Sequence, residues 1–542
     1  MKVKTRILSI LLILAMALSL AACGGSKGSA PASSTESAPA GSTESAPAGS
    51  AETPANTTAS TAASKDTLHV ALSKNITALD AFTGNMLSFN LSFLIFDTLT
   101  KQNPETMELE PCLATSWERV DDYTWRFYLR DDVTFSNGEK FSAESAAYTI
   151  NYLHDLDKSY QNYRQWGLGF PPEGKVDPDN ENAVLITTPR PLISLPYLLM
   201  RIVMLPMEAS QQEGFAQHPI GSGPYLLTSW EPGLNVKMER NDNYWGEKAK
   251  IPYLDMDIVT DDTARTTAVQ SGEYDIVYTV PFDTAESMEN GSIKTDMELL
   301  KTDSLAINVL YFNGASENKF IQMPEFRKAL QYAIDPYEIC QYIMGNLVEP
   351  NNNVHVAGLL GGYETEGYPH KDVEKCKEML AECGYDGSEI SIIMTSEEFA
   401  NNSDVVEFVV QEMQAAGVNM VINEMDNATY KAMKNGPGFD IGSNNYSGYT
   451  GDTEHYYLQG IKNTNWSFPE AEEIIDKIYS PGTTEEQRYE LLSDLMRVCW
   501  ENSPYLFCAS NVNLFATAKN VKGVQVVPQN SFPLLTEVYF AD

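Results

Sequence analysis

The sequence predicts an α/β fold, and three patterns carry that prediction. Apolar residues alternate at Leu68, Val70 and Leu72, at Trp125, Phe127 and Leu129, and at Leu234, Val236 and Met238. A period of two turns one face of each stretch toward a core, as a half-buried strand requires. Phe326, Leu330 and Ile334 instead follow helical spacing, and their stripe stops at Asp335. There Asp335-Pro336-Tyr337-Glu338 supplies an N-cap, a proline at the first helical position and an acid three residues on, so one helix ends and another begins. The third pattern is a β-α-β unit. Glu389 to Met394 is strand-like, Val405, Val409, Met413 and Ala416 keep helix spacing, Gly417 is a stop, and Val418, Met420 and Ile422 alternate. Such a crossover is right-handed and its strands lie parallel, which places an α/β lobe in the later half.

The chain opens differently. Lys2, Lys4 and Arg6 form a positive region, Ile7 to Leu20 is almost unbroken apolar sequence, and Leu20-Ala21-Ala22-Cys23 closes it. This is the layout of a signal peptide over residues 1–23. The quartet resembles a bacterial lipobox, which implies that Cys23 carries lipid and anchors the protein, extracytoplasmic, to the cell membrane. A membrane-spanning anchor would want about 20 apolar residues, more than this run offers. Residues 24–65 are rich in Ser, Ala, Pro and Gly, with Ser34 to Gly41 repeated in Ser42 to Gly49. Sequence with so little to bury does not offset the entropy of ordering, so a disordered tether is expected. Its r.m.s. span would be roughly 35 Å, at about 5–6 Å times the square root of residue number.

From Asp66 to Asp542 the chain is long enough for two or more domains with their own cores. The 74 Asp and Glu against 37 Lys and Arg give a net charge of -37. Nucleic acid and bare anionic lipid are poor partners for such a surface, since both depend on basic groups. Solubility is the ordinary reason for this charge. Cys376 and Cys383 share a helical face with Val373 and Leu380, which reads as buried packing. Cys112, Cys340, Cys499 and Cys508 lack CxxC or metal-type spacing, so free, buried thiols are expected.

Four stretches carry a more specific signal. The first is Leu109-Glu110-Pro111-Cys112-Leu113-Ala114-Thr115-Ser116-Trp117, leading into Tyr123 to Arg130 and Val133 to Gly138. The second is Pro219-Ile220-Gly221-Ser222-Gly223-Pro224-Tyr225, followed by Arg240 to Gly246 and Gly272-Glu273-Tyr274-Asp275-Ile276. The third is Phe326 to Leu330 with Ala333-Ile334-Asp335, and the fourth is Leu380 to Tyr385. Read physically, Gly221 to Tyr225 is a tight chain reversal built on unusual backbone angles, since a strand rather than a phosphate-binding helix follows it. Asn243-Tyr244-Trp245-Gly246 reads as an aromatic pair packed beneath a turn. In order and spacing, the four stretches resemble the extracellular substrate-binding proteins of peptide, oligopeptide and nickel ABC transporters.

That resemblance implies a two-lobed, periplasmic-binding-protein-like fold of type II with a hinge. Residues 66–303 with 510–542 would form the first lobe, containing a subdomain at about 108–215, and residues 304–509 the second. The implied function is capture of peptides or oligopeptides between the lobes and delivery to a membrane permease powered by its ATPase. An extended peptide would be held by strand-like backbone hydrogen bonds, and contact with both faces would select the closed form. A monomer suits a carrier that must present both lobes. The family's amine-binding acid matches Asp452, although the proline that often follows is missing here. Asp452 would accept a ligand ammonium in a charge-assisted contact. Tyr446 and Tyr449 flank it in a Gly/Asn-rich segment without strand or helix periodicity, and suit a cleft wall. Asn85 and Met86 fall in the implied cleft-edge loop, Ser304 and Leu305 at the first lobe crossing, Ser510 and Asn511 at the return, and Trp466 is a further candidate contact. No cofactor or metal is implied. The same scaffold also serves nickel chelates, haem and sugars, so the cargo stays open.

An exported hydrolase is the reading from a different class. The globular part holds neither GxSxG nor HExxH, and the six histidines are dispersed. Asp255, Asp257, Asp261 and Asp262 lack the glycine and terminal glutamate of a calcium loop. A binder rather than an enzyme is expected.

Overall fold

The computed structural model describes residues 65–541 apart from 81, 107, 156–171, 352, 357–358, 366, 400, 448–451 and 527–531. Cys23, the signal sequence, residues 24–64 of the tether and Tyr449 therefore lie outside the described residues. A ten-stranded sheet organises the rest. Its order is Met420–Glu424, Ile390–Met394, Ile441–Ser447, Met297–Phe312, Tyr505–Ala518, Ile276–Tyr278, Thr67–Leu72, Tyr253–Ile258, Asn235–Arg240 and Tyr225–Glu231. The two long strands at its centre, Met297–Phe312 and Tyr505–Ala518, run antiparallel from Met297 opposite Ala518 to Tyr311 opposite Tyr505. Between Asp303 and Ile307 their register shifts. The lobe boundaries expected at 303/304 and 509/510 fall at this irregularity, and both strands run through it.

On one side of this pair lies the β-α-β unit, with Ile390 parallel to Met420. The connecting helix Asn402–Ala415 buries Val405, Val406, Val409, Val410 and Met413 against the sheet. On the other side Leu68, Val70 and Leu72 are fully buried, as their alternation predicts. A separate antiparallel sheet of Ala114–Arg119, Thr124–Leu129, Asn180–Thr187 and Glu173–Asp177 packs against the helix Ala143–Asp155. Asp335 caps the helix Pro336–Tyr342 by accepting from the Tyr337 N–H.

Two local expectations are corrected. Leu234 is not part of a strand: it sits in the hairpin turn after Gly233, whose φ is 78°, and is 62% exposed, so the strand starts at Asn235. Gly221 and Gly223 are glycines for space rather than for backbone angle. A Cβ on Gly221 would lie 1.9 Å from the Ile95 carbonyl oxygen, and one on Gly223 2.5 Å from its carbon. This close approach lets the Gly223 N–H reach that oxygen at 2.8 Å.

The same motifs meet at one buried acid. Asp97 accepts from Ser222 Oγ at 2.8 Å, Tyr244 OH at 3.0 Å and Trp245 Nε1 at 2.8 Å. Arg130 stacks on Trp245 at 3.7 Å. Burial pushes the Asp97 carboxyl up to about 6 against the three donors and the Arg130 charge. The family-like stretches around 130, 222 and 244 are thus explained by scaffold packing.

Candidate functional site

The candidate site lies where the two long strands change register. Ser304 and Leu305 fall inside the shift, and Ser304 Oγ accepts from the Ala306 N–H at 3.1 Å. Ile307, the next paired residue, has Tyr446 on one flank and Ser510 on the other. The Leu305 carbonyl accepts from Tyr456 OH, which ties the segment 452–456 to the same place. The structure therefore gathers Ser304, Leu305, Tyr446, Ser510 and the neighbouring Asn511, with Asp452 on the attached segment.

Tyr446 is not in an irregular loop. It belongs to the strand Ile441–Ser447, is 7% exposed, and stacks on Tyr505 with ring centroids 6.4 Å apart. An interior strand is covered on both faces and shows no alternation, which is why its period was hidden. The hydroxyls of Tyr446 and Tyr505 are buried without a hydrogen-bond partner among the described residues.

Asp452 is buried, not an open turn acid. Its carboxylate pairs with Arg488 Nη2 at 2.9 Å and accepts from the Glu454 N–H at 3.1 Å. The same Arg488 nitrogen meets Glu454 Oε2 at 2.6 Å, and Tyr479 OH donates to the other Glu454 oxygen. Burial opposes the Arg488 charge, yet the two carboxylates together hold its pKa above the ordinary arginine value. Burial pushes Glu454 up, opposed by Arg488 and helped by the Asp452 charge. His455 is driven down to about 3, chiefly by burial and then by Arg201, so it is neutral at physiological pH.

Residues far away in sequence reach this cluster. The Arg190 guanidinium lies 3.6 Å over the Tyr479 ring, and the Gly482 N–H donates to Asp122 at 3.0 Å. Arg201 lies over the Phe89 ring at 4.6 Å. Phe89 sits in the helix Met86–Ile95, whose N-cap is Asn85. Asn85 itself accepts from Ser88 and donates to the Asn75 carbonyl, and Met86 packs on the core, so the pair serves the start of that helix. Trp466 is corrected to a core residue. Its Nε1 donates to the Phe312 carbonyl at 2.7 Å, and the ring stacks on Phe468 and under Arg327.

Sequence reasoning missed Arg488, Glu454, Arg190 and Tyr479. One signal was available: in the helix Glu485–Glu501, Arg488 stands on the apolar stripe of Leu492, Leu495, Met496 and Cys499. A charge on a buried stripe needs a partner. Among the described residues no three His, Cys, Asp or Glu side chains group to hold a metal, and no helix is long and apolar enough to cross a membrane.

The family model of the bacterial extracellular solute-binding proteins, family 5 Middle, matches residues 108–468. The chain belongs to this family. Its members are extracytoplasmic substrate-binding components that work with ABC permeases. A curated relative, glutathione-binding protein GsiB of Shigella boydii, is 23% identical over 87% of this chain and 94% of its own length. Among solved structures, the substrate-binding protein CtaP of Listeria monocytogenes superposes with a TM-score of 0.77 at 16% identity, covering 89% of this chain and all of the other. The periplasmic binding protein DppA of Helicobacter pylori, in complex with the peptide STSA, gives 0.74 at 19% identity, with 88% and 98% covered. These structures share the family 5 α/β fold.

Proposed function

We propose that this protein captures peptides in a cleft between two lobes, 66–303 with 510–542 and 304–509, and delivers them as a monomer to its permease while lipid on Cys23 holds it at the membrane. The observation that carries this reading is the meeting of Ser304, Leu305, Tyr446, Ser510 and Asn511 at the register shift of the only two strands long enough, among those described, to serve both halves of the sheet. The shift leaves Ser304 and Leu305 outside both ladders, with the Leu305 carbonyl held by Tyr456 OH, so the strand-like partners for an extended peptide would be the remaining backbone groups of these two residues. Tyr446, opposite Ile307, carries a buried hydroxyl and stacks on Tyr505. The names of the relatives support the solute class, and make glutathione and short peptides the first to test.

The test uses the chain from residue 24 onward, purified without its lipid. Native mass spectrometry is expected to find a retained peptide, and glutathione or a di- to pentapeptide panel to raise Tm. Absence of any retained peptide together with a flat panel overturns the reading.

A further inference from the structure

Resting on the peptide reading above, we infer that Thr302 and Asn513 form an uncharged subsite that binds the N–H and C=O of one residue of an extended peptide. The two residues stand opposite each other on the long central strands, on the last rung but one before the register shift. Thr302 Oγ1 and Asn513 Nδ2 are both buried, and among the described residues neither has a hydrogen-bond partner. Asn513 as a whole is 9% exposed. Opposed residues of an antiparallel pair share a face, and that face returns at every second position. Two residues back, it carries Leu300 and Phe515, which pack in the main core. The other face is accounted for by Lys301, paired with Glu289, and by Leu514, which lies in a second, smaller core. An apolar face thus turns polar just where the ladder is about to break.

Native folds pair almost every buried polar group, so two unpaired ones on a single rung call for a partner. Their chemistry describes it. Asn513 Nδ2 only donates, whereas the Thr302 hydroxyl also accepts. In an extended chain the N–H and C=O of one residue point to the same side, which is how opposed residues in a ladder exchange two bonds. A solute residue in that conformation accepts from Asn513 Nδ2 with its C=O and donates its N–H to Thr302 Oγ1. The neighbouring positions Leu300, Phe515, Ser304 and Asn511 are uncharged, which matches an internal peptide residue rather than a charged terminus.

The test scans Ser-Thr-Ser-Ala, the peptide held by the Helicobacter pylori relative, with one backbone N-methyl group at a time, by isothermal titration calorimetry on the lipid-free chain. If another member of the panel above binds tighter, that peptide is scanned instead. In wild type one N-methyl position is expected to weaken binding about tenfold, the scale of one hydrogen bond. Thr302→Val replaces the hydroxyl by a methyl of similar shape, and is expected to weaken the parent peptide by as much while shrinking that position's penalty to about threefold or less. Asn513→Leu is expected to weaken the parent peptide and to keep the N-methyl penalty. Both ligand-free variants are expected to melt at or above the wild-type Tm, since each removes an unpaired buried group. An undiminished N-methyl penalty in Thr302→Val, or parent binding as tight as wild type in both variants, overturns the inference alone. So does a ligand-free Tm several degrees below wild type in both, which would show the pair already satisfied within the chain. If wild type binds no peptide of the panel, the peptide reading fails and this inference falls with it.

Discussion

Asp97 shows how one side chain can link three motifs and set a pH response. Its ordinary value is 3.8, and burial raises it to about 6 in the folded protein. Folding therefore favours its protonated form, so this stabilisation is complete below about pH 4 and is lost as pH rises through 6. The shift corresponds to about 3 kcal/mol across that interval. Asp97→Asn removes the titration, and urea unfolding from pH 4 to 7 is expected to give a stability profile flatter than wild type by about that amount. A slope equal to wild type would show that Asp97 does not titrate there. Asp97 was invisible in the sequence because a lone Asp after a helix carries no pattern; Tyr244 and Trp245 were legible as packing aromatics, but their acceptor was not.

Elements were more legible than the contacts between them. The β-α-β unit at 390–424 follows from periodicity, since its helix has one buried stripe and its boundaries are marked by Gly417. Trp125, Phe127 and Leu129 likewise fall in one strand. The strand Ile441–Ser447 was not legible, because burial on both faces erases the alternation that reveals a strand. Where elements touch, the glycines report on the neighbour. Gly221→Ala places a methyl 1.9 Å from a backbone oxygen of the helix Met86–Ile95, which cannot swing aside as a side chain would. The expected loss is at the upper end of the ~1–3 kcal/mol of overpacking, read as a drop in Tm. A variant as stable as wild type would mean that the helix end can retreat.

At the scale of the whole molecule, the small sheet and the helices near the candidate site are joined by Arg190 over Tyr479 and by Asp122 at the Gly482 N–H. A desolvated guanidinium over an aromatic ring contributes about 1–2 kcal/mol. Arg190→Ala is therefore expected to favour an opened form, seen by small-angle scattering as a larger radius of gyration without ligand that contracts when ligand is added. An unchanged radius would show that this contact does not hold the proposed closed form. What the sequence alone determined is everything that depends on neighbours along the chain: strand and helix periods, the Asp335 cap, an acidic surface, and motifs whose order resembles one family. What only the tertiary structure decided is which distant charges meet. The pairing of Asp452 with Arg488 joins a loop to a helix 36 positions later. No local pattern records such a pair, because a buried charge is neutralised by whatever the fold brings beside it.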